Sequence, residues 1–581
     1  MSSDPQLQVD GPPSSIEKIK AESNYLRGRI AEELSQPTDH FTTETSQLLK
    51  HHGIYQQDNR DRRVRLGDLG DLGLKKQKSY QFMVRIGLPG GRLTSQQLLA
   101  QIELADRYGG GTLRITSRQD LQMHGVAKQD LRALLKRIHE VGLTTMATCG
   151  DVNRNVACCP APYRGDPVHG QIQWMAGQIA EALSPRTPAY REIWLDDSSA
   201  ACSLEPDQEA EPLYGKTYLP RKFKVGLGLP GDNCADVYCQ DVGLLAESRN
   251  YDVIGYNVLV GGGMGMTPTK PSTFPALAQR MAYARADQIL DLLRAMVGVF
   301  RDFGNRNDRK RARLKYLIAD WGLERFKKRV EQYLGYELPP PEPDDVWDID
   351  DHLGWREQGD GHWFYGLHVP SGRIQDTGEV RLKLALRDIC EGHGPAIYLT
   401  PGQSLLLGDI SWDDRLHIED HLRHSGLRLV GEITQVRRWA GACVSLPTCP
   451  LALTESERAL PEIVQDLEGE VARLGLQQEV FALRMTGCTN GCSRPYNADI
   501  GIVGRAAGRY AIYLGGRRTG DRLSFLYRDG VPLEQLVTTL VAVLGYFKQH
   551  RKEGETLGDF CHRVGGDELT AALPAEVQIG S

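Results

Sequence analysis

A chain of 581 residues exceeds one ordinary core, and at roughly 150 residues per domain it holds three or four units. Its 40% hydrophobic and 25% charged residues exclude a disordered or fibrous protein, and no apolar run approaches the roughly 18–20 residues of a membrane span. A net charge of −6 argues against a general nucleic-acid binder, and twelve cysteines are too few for a disulfide scaffold, so their spacing decides their role. The opening Met1-Ser-Ser-Asp-Pro-Gln has neither the basic start nor the apolar stretch of a signal peptide, and the expected location is cytoplasmic.

Residues 1–15, rich in Pro and Ser, are expected to be a disordered arm. An N-terminal extension occupies 16–73, with helical spacing from Ile16 to Leu34. From Tyr80 the pattern turns to strand, with Phe82, Val84 and Ile86 alternating, and Leu88-Pro-Gly-Gly-Arg92 makes a turn. Ser95–Tyr108 reads as a helix capped near Thr94 and Ser95, Leu113–His124 as a strand pair, and Lys128–Val141 as a second helix. These form a small β-α-β-β-α lobe over 74–145, succeeded by a larger α/β lobe over 146–336. The Pro-rich stretch Glu337–Asp345 marks a linker over 337–350, after which a second small lobe (351–430) and a second larger lobe (431–581) complete the chain.

The sequence after the linker repeats the sequence before it. Leu113-Arg-Ile-Thr-Ser-Arg-Gln-Asp-Leu121 and Ile397-Tyr-Leu-Thr-Pro-Gly-Gln-Ser-Leu405 share apolar-x-apolar-Thr-x-x-Gln-x-Leu, and Pro89-Gly-Gly-Arg-Leu93 matches Pro370-Ser-Gly-Arg-Ile374. Val258-Leu-Val-Gly-Gly-Gly-Met-Gly265 is more weakly like Ile512-Tyr-Leu-Gly-Gly-Arg-Arg-Thr519. Generic strand–turn patterns are the alternative. The shared order and offset favour two homologous halves, with a common site between them.

Four cysteines form two tight pairs: Cys443 and Cys449, then Cys488 and Cys492 in Thr486-Gly-Cys-Thr-Asn-Gly-Cys-Ser493. Structural zinc prefers short C-x2-C knuckles. Spacings of C-x5-C and C-x3-C, bent by proline and glycine, suit a cubane that needs four converging thiolates. Inert core cysteines are the competing reading. Cys149, Cys158, Cys159, Cys202, Cys234, Cys239, Cys390 and Cys561 lack such pairing and read as structural.

The paired pattern resembles the signature of the siroheme-dependent nitrite and sulfite reductases. Glu22-Ser-Asn-Tyr-Leu-Arg-Gly28, His52-Gly-Ile-Tyr-Gln-Gln-Asp58, Asn153-Arg-Asn155, Thr217-Tyr-Leu-Pro-Arg-Lys-Phe-Lys224 and Asn305-Arg-Asn-Asp-Arg-Lys310 resemble that family in its order, across nearly the whole chain. The N-terminal strings are most like bacterial assimilatory sulfite reductase hemoproteins. The resemblance implies an α+β fold in which each half is a small ferredoxin-like lobe plus a larger lobe, with one siroheme and one 4Fe-4S cluster between them. It implies that Cys443, Cys449, Cys488 and Cys492 hold the cluster, and that Cys492 is also the bridging axial ligand of the siroheme. The activity implied is six-electron reduction of sulfite to sulfide in sulfur assimilation and cysteine biosynthesis.

Siroheme carries many carboxylates and sulfite is an anion, so both need Arg and Lys in a pocket. The resemblance places Arg85, Arg154, Lys222 and Lys224 on the substrate side of the heme. Lys222 and Lys224, two apart in an extended segment, face one way and Arg221 the other, towards siroheme carboxylates. Arg114, Arg118, Gln122, His124, Arg306, Arg309 and Lys310 are further candidate siroheme contacts. The plain alternative for each is a solvated charge, and for His124 a packed or surface histidine. Gly261-Gly-Gly263 lacks the spacing of a phosphate loop and reads as a close backbone approach to the cofactor. Two positions depart from the family pattern: Gly87, where some relatives carry a second arginine, and Gly150, where an Asn often precedes the acid.

No dinucleotide or flavin motif is present, so NADPH, if it is the ultimate donor, binds elsewhere. The expected donor is a flavoprotein partner, with ferredoxin as the alternative. A ferredoxin-dependent nitrite reductase is the nearest competing function, and relatives that prefer nitrite tend to carry Asn where Lys224 stands. From another class, a non-catalytic iron–sulfur carrier would have no need of such a set of cations.

Overall fold

A computed structural model describes residues 11–63, 78–196 and 211–572. Most of the arm expected over 1–15, and Cys202, lie outside the described residues. The helix expected over Ile16–Leu34 is instead two: α1 (Ser15–Ala21) and α2 (Ile30–Leu34). Between them Asn24, Tyr25, Leu26 and Gly28 all take positive φ, which no helix tolerates. The turn buries Leu26, whose carbonyl accepts from His52 Nε2 at 3.0 Å. A third helix, α3 (Thr43–Leu49), leads into the first sheet.

The first small lobe is built from β1 (Ile54–Asp58), β2 (Tyr80–Ile86), β3 (Arg92–Leu93), α4 (Ser95–Tyr108), β4 (Leu113–Ile115), β5 (Leu121–Val126) and α5 (Leu131–Glu140). Thr94 caps α4 by accepting from Gln97 N, and the Gln97 side chain returns the bond. Helix α5 buries Leu131, Leu134, Leu135 and Ile138 at i, i+3, i+4 and i+7. Strand β5 alternates Leu121 and Met123 with Gln122 and His124, yet all four are buried. One face of this sheet therefore packs on helices, and the other, polar face is covered by something other than water.

The first larger lobe has a sheet of β6 (Val225–Gly228), β7 (Val242–Arg249), β8 (Asp252–Val260) and β9 (Gln279–Arg285), in that order. The second half holds β10 (Gly354–Glu357), β11 (Trp363–Leu367), β12 (Arg373–Ile374), the small hairpin β13 (Asp376–Thr377) and β14 (Val380–Arg381), β15 (Ala396–Leu399) and β16 (Leu405–Ile410). Its larger lobe holds β17 (Ala440–Ala442), β18 (Leu483–Thr486), β19 (Ile500–Ala506), β20 (Arg509–Leu514) and β21 (Phe525–Pro532).

The repeat is visible in the pairing. In both larger lobes two parallel strands, β6 with β7 and β18 with β19, continue into antiparallel neighbours. The small-lobe sheets run β1-β2-β5-β4-β12 and β10-β11-β16-β15-β3. Each half thus lends its two-residue strand to the other: β12 pairs with β4, and β3 with β15. These exchanged strands are the Arg-Leu and Arg-Ile ends of the repeated Pro-x-Gly-Arg turns. One apolar core runs from Leu26 to Leu429 through both small lobes and the first larger one, while the second larger lobe packs its own, from Val436 to Leu569. Residues 335–353 contain no helix or strand but are tied down, with Asn257 Nδ2 donating to the carbonyls of Glu342 and Asp344.

Candidate functional site

Two strand ends bring the paired cysteines together. Cys443 directly follows β17, and Cys488 follows β18 after one glycine, with these strands parallel and adjacent. A Cβ on Gly487 would fall 1.7 Å from Ser445 Oγ and 2.6 Å from Thr454 O, so only glycine lets the loops meet. Gly487 N–H donates to Cys443 Sγ, and Asn490 Nδ2 to Cys488 Sγ, each at 3.4 Å. Burial, then the charge of Cys492, pushes the Cys443 thiol up to about 12 and the Cys449 thiol up to about 11. Burial and Cys492 raise Cys488 as well. Three thiols raised in this way, with Cys492 beside them, form a donor set that a cationic cluster would relieve. Cys492 alone of the four is exposed. These cysteine loops are held from the first half: Ser117 Oγ donates to Cys492 O, and the Arg60 guanidinium to the carbonyls of Cys449, Pro450 and Ala452.

Facing these loops is the polar face of the first sheet. Arg85 on β2 pairs with Gln122 on β5, Gln122 with Arg114 on β4, and Arg114 with Arg373 on the borrowed strand β12. Four polar side chains thus stand in a row, with His124 two residues beyond Gln122 on the same face. Arg85 Nε, Gln122 Oε1 and both ring nitrogens of His124 are buried without a partner. Burial, then Arg373 and Arg114, holds His124 well below the usual imidazole range, so it is neutral. Orphaned buried donors and acceptors in a row are what a carboxylate-bearing planar cofactor would satisfy, and the residues present fit a siroheme.

The cations converge on one space. Arg85 and Lys224 both feel the charge of Cys492, and Lys222 that of Cys488. Arg154 is buried, its guanidinium donating to the carbonyls of Gly150 and Thr148. Phe223, fully buried, bridges to Asn153, leaving the half-buried Lys222 and Lys224 to the opposite side. Neither ammonium has a hydrogen-bond or ion-pair partner among the described residues. Desolvation, followed by Arg118 and Arg313, lowers Lys224 to about 7; desolvation and then Lys224 hold Lys222 well below the usual lysine range.

Other candidates are already engaged. Arg114 donates to Glu457 and to Ala442 O, holding the strand just before Cys443. Arg118 donates to the carbonyls of Asn155 and Val225 and to Gln240. Arg309 forks onto Asp151 at 2.8 and 2.9 Å, with Arg221 at 3.8 Å from the same carboxylate. Burial would raise Asp151, but Lys20 and Arg309 hold it well below the carboxylate range. Arg306 is spent on Glu17 and the carbonyls of Thr217, Tyr218 and Arg301, and Lys310 is exposed, so neither joins the row.

The glycine triplet packs tightly: a Cβ on Gly262 would meet the carbonyls of Tyr238 and Gln240, and one on Gly263 the Arg313 guanidinium, so the backbone approaches the protein closely at both positions. Gly87 has a reason: a Cβ there would lie 2.9 Å from Thr148 Cγ2. Gly150 does too, with φ +87° and a would-be Cβ 2.5 Å from His51 Cδ2.

Asp120 escaped sequence reasoning. It is fully buried, neither carboxylate oxygen has a hydrogen-bond partner, and Arg85 Nη1 lies 3.9 Å away. Burial pushes it up to about 6 against the pull of Arg85, Arg118, Arg154 and Lys224. The only sequence signal was an acid inside a basic string. Arg313, paired with Asp241, was missed likewise.

The nitrite and sulphite reductase 4Fe-4S domain matches residues 174–338 and 436–579, and the nitrite/sulfite reductase ferredoxin-like half domain matches 74–141 and 356–424. A Synechococcus elongatus protein named sulfite reductase (ferredoxin) is 42% identical over 572 residues, covering 96% of this chain and 90% of that one. A Geobacillus kaustophilus protein named sulfite reductase (NADPH) hemoprotein beta-component is 42% identical over 560 residues, covering 96% of each. The solved structure of Mycobacterium tuberculosis NirA superposes with a TM-score of 0.77 at 25% identity, covering 96% of this chain and 98% of that one.

Proposed function

The chain belongs to the nitrite and sulphite reductase family, and from that premise we propose that it reduces sulfite to sulfide, with Cys443, Cys449, Cys488 and Cys492 holding a 4Fe-4S cluster and Cys492 also holding siroheme. The observation that carries this reading is the pair of unpartnered ammoniums, Lys222 and Lys224, in the same charged space as Arg85, Arg154 and the cluster cysteines. Siroheme and the cluster, when bound, supply the site for sulfur and the electrons.

The chain's residues supply charge and protons. Reducing one hydrogen sulfite to hydrogen sulfide takes six electrons and seven protons and releases three waters. The arginine fork suits an oxyanion, and the role of Arg85 and Arg154 is to hold oxygens. Lysine releases a proton when desolvated, and in this reading Lys224 and Lys222 protonate each departing oxygen. Gln122, His124 and Arg221 meet the siroheme carboxylates, while Arg114 and Arg309 position the surrounding loops.

A flavoprotein that oxidises NADPH is the proposed donor, in keeping with the name of the Geobacillus relative. The Synechococcus relative, equally similar, is named for ferredoxin, which is the second reading. No helix among the described residues is long and apolar enough to cross a membrane, and the proposed location is the cytoplasm.

The loaded full chain should oxidise reduced viologen when sulfite is added, forming sulfide, and should not oxidise NADPH alone. Adding a flavoprotein reductase or reduced ferredoxin then identifies the donor. Zinc at those four cysteines in a fully loaded preparation without heme absorption would overturn the reading.

A further inference from the structure

A second cluster of ligand-bearing side chains lies in the first half. Cys159 Sγ, Cys234 Sγ, an oxygen of Asp232 and a ring nitrogen of His352 all fall within 4.8 Å of one another, and all four residues are buried. Cys159 Sγ is 3.4 Å from His352 Nε2, which is 3.0 Å from Asp232 Oδ2. A tetrahedral zinc with bonds of about 2.3 Å to sulfur and about 2.0–2.1 Å to nitrogen and oxygen sets its ligand atoms roughly 3.2–3.8 Å apart. The two measured edges agree with that tetrahedron to within a few tenths of an ångström.

The surroundings aim the donors inward. Asp232 Oδ1 accepts the N–H groups of Cys234 (3.1 Å) and Asp350 (3.2 Å), which leaves Oδ2 directed at the cluster. His352 Nδ1 has no hydrogen bond, but Asp350 Oδ2 lies 3.7 Å away, and Asp350 is fixed by Arg356. A carboxylate behind one ring nitrogen and a ligand position at the other is the usual support of a metal-bound histidine.

The fold gives an independent argument. Cys159 follows residues 153–157, which run parallel beside β6, and Asp232 and Cys234 lie in the loop that leaves β6. In the second half Cys443 follows β17 and Cys488 leaves β18, its parallel neighbour. The duplication therefore offers the same two loop positions twice. His352 comes from the connection between the halves.

We propose that Cys159, Asp232, Cys234 and His352 bind one zinc ion in a closed structural site that fastens the connecting segment to the first half. Two thiolates, an imidazole and a carboxylate fill all four positions, leaving none for substrate.

The test is elemental analysis of the full chain with both cofactors loaded, purified without chelator. One zinc per chain is expected beside the cluster and siroheme iron. Cys234→Ser and His352→Asn should each lose the zinc while keeping the iron. Protein grown on cobalt should show thiolate-to-cobalt charge-transfer absorption that Cys159→Ser abolishes. Should the variants fail to fold, wild type still decides, by uptake of one equivalent of zinc from a chromophoric chelator. Wild type with full iron and reduced thiols that contains no zinc and takes up none would overturn the proposal, as would zinc retained in a folded Cys234→Ser/His352→Asn double variant. Iron content and sulfite turnover report on the other site, so the two readings fail separately.

Discussion

Lys224 stands two residues from Lys222 without a bonding partner among the described residues, and under the proposed function it is the residue expected to tell sulfite from nitrite. Sulfite presents three oxygens and up to two negative charges; nitrite presents two oxygens and one charge. Lys224→Asn keeps a donor and removes the charge. Losing a charge-assisted bond to the anion costs about 1.5–3 kcal/mol, or roughly ten- to hundredfold in kcat/KM for sulfite. Nitrite reduction should fall much less. The ratio of the two constants with one artificial donor measures this, and an unchanged ratio removes Lys224 from the discriminating role. His52 yields a second prediction. Its Nδ1 accepts from Trp194 Nε1–H at 3.0 Å and its Nε2–H donates to Leu26 O, a neutral tautomer with no room for a second proton. Burial lowers it to about 4. The unfolded chain, titrating near 6.5, binds the proton first on acidification, so this stability is full above about 6.5 and lost as pH falls towards 4. His52→Gln, which can reproduce both hydrogen bonds, should remove about 1 kcal/mol of the loss between pH 6.5 and 5.5. Denaturant titrations at the two pH values read it directly.

Among the elements, β4, β12 and the segment carrying Glu457 are locked by one carboxylate. Arg114 and Arg373 are Cα partners across β4 and β12; Arg373 forks onto Glu457, while Arg114 donates to it through Nε and reaches with Nη2 to Ala442 O beside Cys443. Glu457→Ala leaves two arginines unpaired and should destabilise by about 3–5 kcal/mol. It should also lower cluster loading, as seen in the denaturation midpoint and in iron per chain. Glu457→Gln should recover part of both. Local physics decides how much of these elements the sequence revealed. The helix over Ser95–Tyr108 was legible because its cap and its apolar spacing are written in adjacent residues. The break in the helix expected over Ile16–Leu34 was not, because nothing local to Asn24, Tyr25 and Leu26 announces their positive φ, which long-range packing around His52 imposes. The repeated Arg-Leu and Arg-Ile strings were visible, but not that each serves the opposite sheet: a two-residue strand carries no pattern of its own. The cysteine pairs were legible from spacing, whereas Asp120 acquires its meaning only from Arg85, 35 positions earlier in the sequence.

At the scale of the molecule, three of the four lobes share one core, and strands are exchanged across the halves. Such coupling predicts cooperative loss of the sheets and of the cofactor site. Urea titrations followed by tryptophan fluorescence and by heme absorption should give coincident midpoints for the loaded chain. Heme loss well before the fluorescence change would show the second larger lobe, with its separate core from Val436 to Leu569, unfolding alone.

The exchange of β3 and β12 also bears on ancestry. A single-length forebear, carrying one copy of the Pro-x-Gly-Arg turn, would have had an open sheet edge and a spare strand of matching register. Two such molecules related by a twofold axis complete each other reciprocally, as β3 and β12 do here. Joining two such genes would turn a concentration-dependent dimer into an intramolecular one. It would also free the two cysteine-bearing loop positions to diverge, since a symmetric pair must carry identical residues and a fused chain need not.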